Sequence, residues 1–231
     1  GIGTATIERN KNQIDELIDY EYFHVANKPQ ELQVLSFHAI SLGDGRYDYV
    51  ALVKNPNDKH VATRVRIELL SGREILAEKE TFIYPEEEKY IMIFGQELTT
   101  QGSPVFSIES TSWKRVSNYH EFFDPRLLFE IENINFKNSR DAGLKGALAI
   151  STLTFDVTNN SAFSYWNVGF NMVLKGRPSI IGVNYISLDN FKAGEMRNVE
   201  VRFYEKISSV SSVEILPEVD LLDPASYIPV E

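Results

Sequence analysis

The 231-residue chain contains no cysteine, which excludes disulfide-stapled scaffolds, cysteine-ligated zinc and thiol nucleophiles together. No apolar run reaches 18 residues, so no segment reads as a membrane-spanning helix. Positive charge is scarce: 23 Lys and Arg stand against 33 Asp and Glu, a formal net charge of −10. The deficit is uneven, with a net of −7 over residues 1–125 and −3 over residues 126–231. Such a field repels phosphate backbones and anionic headgroups, and neither half carries a basic patch, so nucleic-acid and membrane-surface roles lose ground. The four histidines, His24, His38, His60 and His120, are scattered. None has a second histidine at the i, i+2 or i, i+4 spacing of a metal site.

What the chain does have is one pattern written twice. Tyr49–Asn55 is an alternating run closed by Asn55-Pro56, and Leu153–Asn159 repeats it 104 positions later, closed by Asn159-Asn160. A second alternating run follows in each copy, Val65–Leu69 before Gly72 and Val168–Met172 before Gly176. A third correspondence matches Pro85–Phe94 to Ala193–Phe203. Self-similarity on this scale marks separate structural units. Hydrophobic residues at 43% and aromatics at 12% supply enough apolar surface for packed cores.

Period-two alternation bounded by Gly, Pro, Asn and Asp defines the strands. In the first copy they are expected at Leu32–Ile40, Arg46–Val53, Val61–Leu70, Glu74–Ile83, Lys89–Phe94 and Pro104–Trp113, with Gly43-Asp44-Gly45 turning the first hairpin. In the second they fall at Leu127–Phe136, Ala147–Val157, Tyr165–Leu174, Ile180–Leu188, Arg197–Phe203 and Ser209–Ile215, with a polar loop over residues 137–146. Short strands at roughly ten-residue spacing without long helices between them are the signature of an antiparallel sandwich. The expected fold is all-β, two tandem immunoglobulin-like sandwiches. Their bounds are 30–117 and 126–217, after a leader at 1–29 that is partly helical or disordered and before a Pro-rich acidic tail at 218–231. In the leader Ile14, Leu17 and Ile18 have helical spacing, enough for a turn or two, ahead of aromatics at Tyr20, Tyr22 and Phe23. The linker, 118–125, is unusually aromatic, so Trp113, Tyr119, Phe122 and Phe123 are expected to pack between the domains and limit their motion.

No catalytic grammar accompanies this pattern. The nucleophile elbow, the phosphate-binding Gly-rich loop and the dinucleotide fingerprint are all missing. Glu86-Glu87-Glu88 reads as a solvated corner rather than an acid/base pair. Asp44, Asp48 and Asp58 lie near loops without calcium-loop spacing, and only Glu121 and Asp124 are acidic at the junction. Trp113 and Trp166 are large rings near strand ends, where core plugs and interface residues outnumber ligand platforms. The expectation is a non-enzyme without metal or cofactor.

Residues Gly43–Asp48 followed by Val50–Asn57, then Phe82–Ile91, and the closing strand to Trp113 resemble uncharacterised bacterial envelope proteins. Those carry tandem immunoglobulin-like or FxLYD-like sandwiches behind an N-terminal membrane segment. The likeness covers residues 10–125 well and the second copy more loosely. Asn12-Gln13, Asp15-Glu16 and Asp19 fit the segment that precedes the first sandwich in that group, whereas Tyr20 stands where a cysteine would be. The resemblance implies an exported protein, at the cell surface or in the periplasm, tethered by a segment preceding Gly1. Its partner would be a protein or cell-surface component. The expected role is an interaction or structural module: a surface spacer, adhesin stalk or envelope-assembly component. The alternatives are a glycan-binding module using exposed aromatics and a homopolymeric appendage subunit.

Overall fold

A computed structural model describes residues 2–18, 28–98, 102–138 and 150–230. Contacts divide the chain into two compact units, Asn12–Tyr119 and His120–Glu231 with Gly1–Lys11. The fold is all-β, with sandwich-type packing in both units.

The first unit holds β1 (Gln33–Gly43), β2 (Arg46–Lys54), β3 (His60–Ser71), β4 (Glu74–Ile83), β5 (Glu88–Glu97) and β6 (Val105–Arg115). They form two three-stranded antiparallel sheets in the orders β1-β2-β5 and β4-β3-β6. Alternation along β2 and β3 turns one face of each sheet inward. Ala51, Val53 and Ile91 from the first sheet meet Ala62, Val65, Ile67 and Ile83 from the second, all essentially without exposure. Full burial of each Val or Ile side chain here stabilises by roughly 1.5–3 kcal/mol. At one end the same layer continues through Tyr49, Leu69 and Ile93, where the Tyr49 ring stacks on Phe37 at 5.7 Å.

The second unit repeats this plan with β7 (Phe129–Lys137), β8 (Ser151–Asn159), β9 (Tyr165–Lys175), β10 (Ile180–Phe191), β11 (Met196–Phe203) and β12 (Ser212–Glu218). Its sheets run β11-β8-β7 and β10-β9-β12, the same connectivity as in the first unit. Register agrees as well: Val53 pairs with Lys89 in one copy and Val157 with Arg197 in the other. The duplication is therefore one of hydrogen-bond register as well as sequence. Aromatic rings bridge the two sheets here. Phe129 lies within 6.0 Å of Tyr165, Phe170 and Phe191, and Phe155 of β8 meets Phe170 of β9.

Outside the sheets the structure departs from the sequence expectation. The leader is a 16-residue helix, α1 (Ile2–Leu17), rather than a turn or two. Asn10, Ile14 and Leu17 are buried along it and Ile18 just beyond its end, so a polar residue occupies part of the inward stripe and weakens the periodic signal. Its last turn is held in the first unit, where the Ser117 amide donates to the Leu17 carbonyl and Ile18 bridges to Val116. The tail beyond β12 is ordered on the second sandwich. Leu221 and Tyr227 are buried, Tyr227 bridges to Tyr165, and the Ile228 amide donates to the Ser164 carbonyl. Tyr20, Tyr22, Phe23 and His24, most of the 137–146 loop and the start of the Ala147 strand lie outside the described residues.

Candidate interaction surface

In each copy the turn after the central strand carries an asparagine whose side chain points inward. Asn55 and Asn159 are both fully buried. The Asn55 amide donates to the carbonyls of His60 and Ile83 at 2.8 and 3.3 Å, and its oxygen accepts from the Asn57 backbone and side chain. Asn159 does the same 104 positions on. It donates to Phe163 and Phe191 at 2.8 and 3.4 Å and accepts from the Ser161 amide and hydroxyl. One side chain thus ties the β2–β3 turn to the end of β4, or the β8–β9 turn to the end of β10, and so braces one sheet to the other. Buried polar groups are tolerated when every donor and acceptor is met, and here they are.

The facing corner repeats too. Asn55 and Asn159 donate their backbone amides to Glu87 and Glu195. The carboxylates of these two glutamates cap the amides of Tyr84 and Lys192, both at 3.0 Å. Glu86 and Gly194 occupy the same left-handed position at φ 60° and 79°. Two residues beyond each glutamate a cation reaches back. Lys89 Nζ donates to the Phe82 carbonyl at 2.8 Å above the Phe82 ring, and Arg197 donates to the Asn190 and Asp189 carbonyls. The Glu86–Glu88 run is accordingly not a uniformly solvated corner: Glu87 is half-buried and structural. Arg197 and the Lys192 amide hold the Glu195 carboxyl below its usual range.

The other residues singled out from the sequence are dispersed. Trp113 sits in β6, half-buried, packed against the first core and edge-on to His60 at 6.4 Å. Tyr119 belongs to the first unit, its hydroxyl donating to Glu86. Phe122 and Phe123, in the short helix α2 (Tyr119–Phe123), are buried in the second. There the Arg126 guanidinium is stacked between Phe122 at 3.8 Å and Phe163 at 4.3 Å, an arrangement that typically stabilises by about 1–2 kcal/mol when desolvated. The nearby Tyr165 hydroxyl donates to the Arg126 carbonyl at 2.8 Å. Burial pushes the Tyr227 phenol up to about 12. Trp166 is 45% exposed.

Asp48 accepts from the Gly95 amide at 2.8 Å, where Gly95 adopts φ 62° at a register shift between β2 and β5. Its carboxyl is raised by burial, against the opposing pull of Gly95 and Arg46, and it serves the bulge rather than a cation. His60 is lowered by burial and by Arg115. Among the described residues no three His, Asp or Glu side chains stand together as a metal-binding group.

Two clefts lie on corresponding flanks. In the first sandwich Glu31, Leu32, Ile108, Glu109, Ser110, Thr111 and Trp113 line one of ≈350 Å³. In the second, Ile134 and Phe136 of β7 and residues 209–213 line one of ≈450 Å³. Each runs beside the end strand that follows the last corner, β6 or β12. These flanks, rather than the tryptophans alone, are the concave surfaces that sequence reading did not locate.

No family model matches the chain, and no curated protein does. Red sea bream transglutaminase is a solved structure with some similarity, at 13% identity over 89% of this chain and 32% of its own. The chain thus spans about a third of that protein, and at a TM-score of 0.23 the likeness carries no argument.

Proposed function

We propose that the chain is a non-enzymatic interaction or structural module working outside the cytoplasm. In this reading two immunoglobulin-like sandwiches act as a surface spacer, adhesin stalk or component of an envelope assembly. The supporting observation is the bracket built twice. Asn55, Asn57, Asn159 and Ser161 are buried polar side chains of the two turns; Asn55 and Asn159 brace one sheet to the other, and Asn57 and Ser161 hold their amide oxygens in place. A rigid, repeated, acidic unit suits a scaffold that presents its flanks to partners. The resemblance to tandem-sandwich envelope proteins points the same way.

The absence of native cysteine makes a direct test available. Ser208 is exposed, and Ser208→Cys introduces one thiol among these residues, with the unsubstituted protein as the labelling control. Cells producing the full-length protein are divided, one sample being treated with a membrane-impermeant maleimide and a parallel sample with a thiol-reactive photo-cross-linker that attaches at the same position. Labelling of intact cells together with cross-linking to a surface or envelope component is the expected result. Labelling confined to lysed cells overturns the proposal.

A further inference from the structure

We propose that the open flank of β6 in the first sandwich binds an extended basic peptide segment by strand addition. The inference rests on the interaction-module reading and names the kind of partner that module takes.

β6 ends the β4-β3-β6 sheet. Its one side pairs with β3 from His60 to Leu70, and no strand of the described residues pairs with the other. An end strand offers a row of outward amides and carbonyls that a partner strand can take up. What distinguishes this edge is the cleft beside it. Leu32, Ile108 and Trp113 give it an apolar floor continuous with the core. Its charged lining is Glu31 and Glu109, with no Lys, Arg or His; Lys114 and Arg115 follow only beyond it.

Glu68, which pairs with β6, has its carboxyl raised by desolvation and then by Glu109 and Glu78, against the pull of Arg66, which lies opposite Ser110. Glu109 is oriented by the Ser107 hydroxyl at 2.7 Å. Residues 108–113 extend roughly 20 Å at about 3.3 Å per residue, shortened by the bulge at Glu109, room for about five residues of a partner strand. Alternate side chains of such a strand would enter the apolar cleft, and basic ones would meet Glu31 and Glu109. The corresponding flank of the second sandwich lacks this chemistry. Its cleft has no charged lining, and β12 contains Pro217, which has no amide proton for a ladder.

The test uses the full chain carrying Trp166→Phe, so that Trp113 is the sole tryptophan. Three capped octapeptides are titrated: alternating Lys and Val, alternating Glu and Val, and the Lys–Val sequence N-methylated at alternate residues so that it cannot pair. Trp113 emission and backbone hydrogen exchange are the readouts. The Lys–Val peptide is expected to bind at least tenfold tighter than either control and to slow exchange of amides within residues 107–113. Glu109→Lys should weaken it at least fivefold. If that variant fails to fold, Glu31→Lys, at an exposed position outside the strands, carries the same expectation. Equal binding of the N-methylated peptide, or unchanged exchange along β6, overturns strand addition. Either outcome alongside surface labelling at position 208 refutes only this inference, whereas labelling confined to lysed cells removes the broader proposal.

Discussion

Replacing Asn159 by Asp changes one NH2 to O while keeping shape and volume, and so isolates the donor half of the bracket. The amide donates to Phe163 and Phe191 at 2.8 and 3.4 Å, and the residue has no exposure. A carboxylate there turns both contacts into oxygen facing oxygen. Two hydrogen bonds at about 1 kcal/mol each are lost, and the buried Phe191 carbonyl is left facing an oxygen at about 1 kcal/mol or more, whereas the Phe163 carbonyl keeps the Ser161 hydroxyl at 3.1 Å. The expected loss is about 3 kcal/mol at pH 7. With a urea slope of about 1.5 kcal/mol/M, the midpoint of the second unit falls by about 2 M. Trp166 reports that unit in a Trp113→Phe background. A protonated Asp donates one hydrogen bond, so its folded-state pKa must lie above the usual 3.9 or so for aspartate. The variant should therefore be nearest wild type below pH 4 and lose stability as pH rises toward 7. A midpoint within 0.3 M of wild type (about 0.5 kcal/mol at that slope), or a loss that does not change with pH, would refute the assignment of bracing to this side chain.

The Tyr49 hydroxyl is buried without a hydrogen-bond partner among the described residues, so Tyr49→Phe should stabilise the first unit by about 1 kcal/mol. A thermal melt should rise by about 4 °C; a fall would show that the hydroxyl is satisfied. Glu195, held below its usual range first by Arg197 and then by the Lys192 amide, lends stability that is present above its ordinary pKa and lost as pH falls through the lowered one. Glu195→Gln should cost about 1 kcal/mol at pH 7 and approach wild type as pH falls below the ordinary glutamate range, as read by urea titrations over a descending pH series; a cost that does not change with pH excludes the charge as the cause.

Strand placement was legible because alternation is a local signal. Glu74–Ile83 in β4 coincides with its apolar pattern, and the Val61–Leu70 pattern lies inside His60–Ser71. Helix α1 was faint because Asn10 stands in its buried stripe and Ile7 is 44% exposed. The destination of Asn55 and Asn159 was hidden for another reason. Asparagine after a strand is the ordinary residue of a turn, whether its side chain faces water or the interior. Only the recurrence of a hydrogen-bonding residue two positions on, Asn57 and Ser161, carried a trace of it. The flank clefts depend on which strand ends each sheet, a property of long-range pairing that no local window contains.

The duplicated bracket also defines a sequence signature. An Asn followed two positions later by Asn or Ser is joined, 32 positions on at Glu87 or 36 at Glu195, to a Glu followed two positions later by Lys or Arg. Pro56 against Asn160 and Glu86 against Gly194 show that the residues between are free to drift. Other copies of this module, diverged past overall similarity, would be found by these four anchors rather than by their strands.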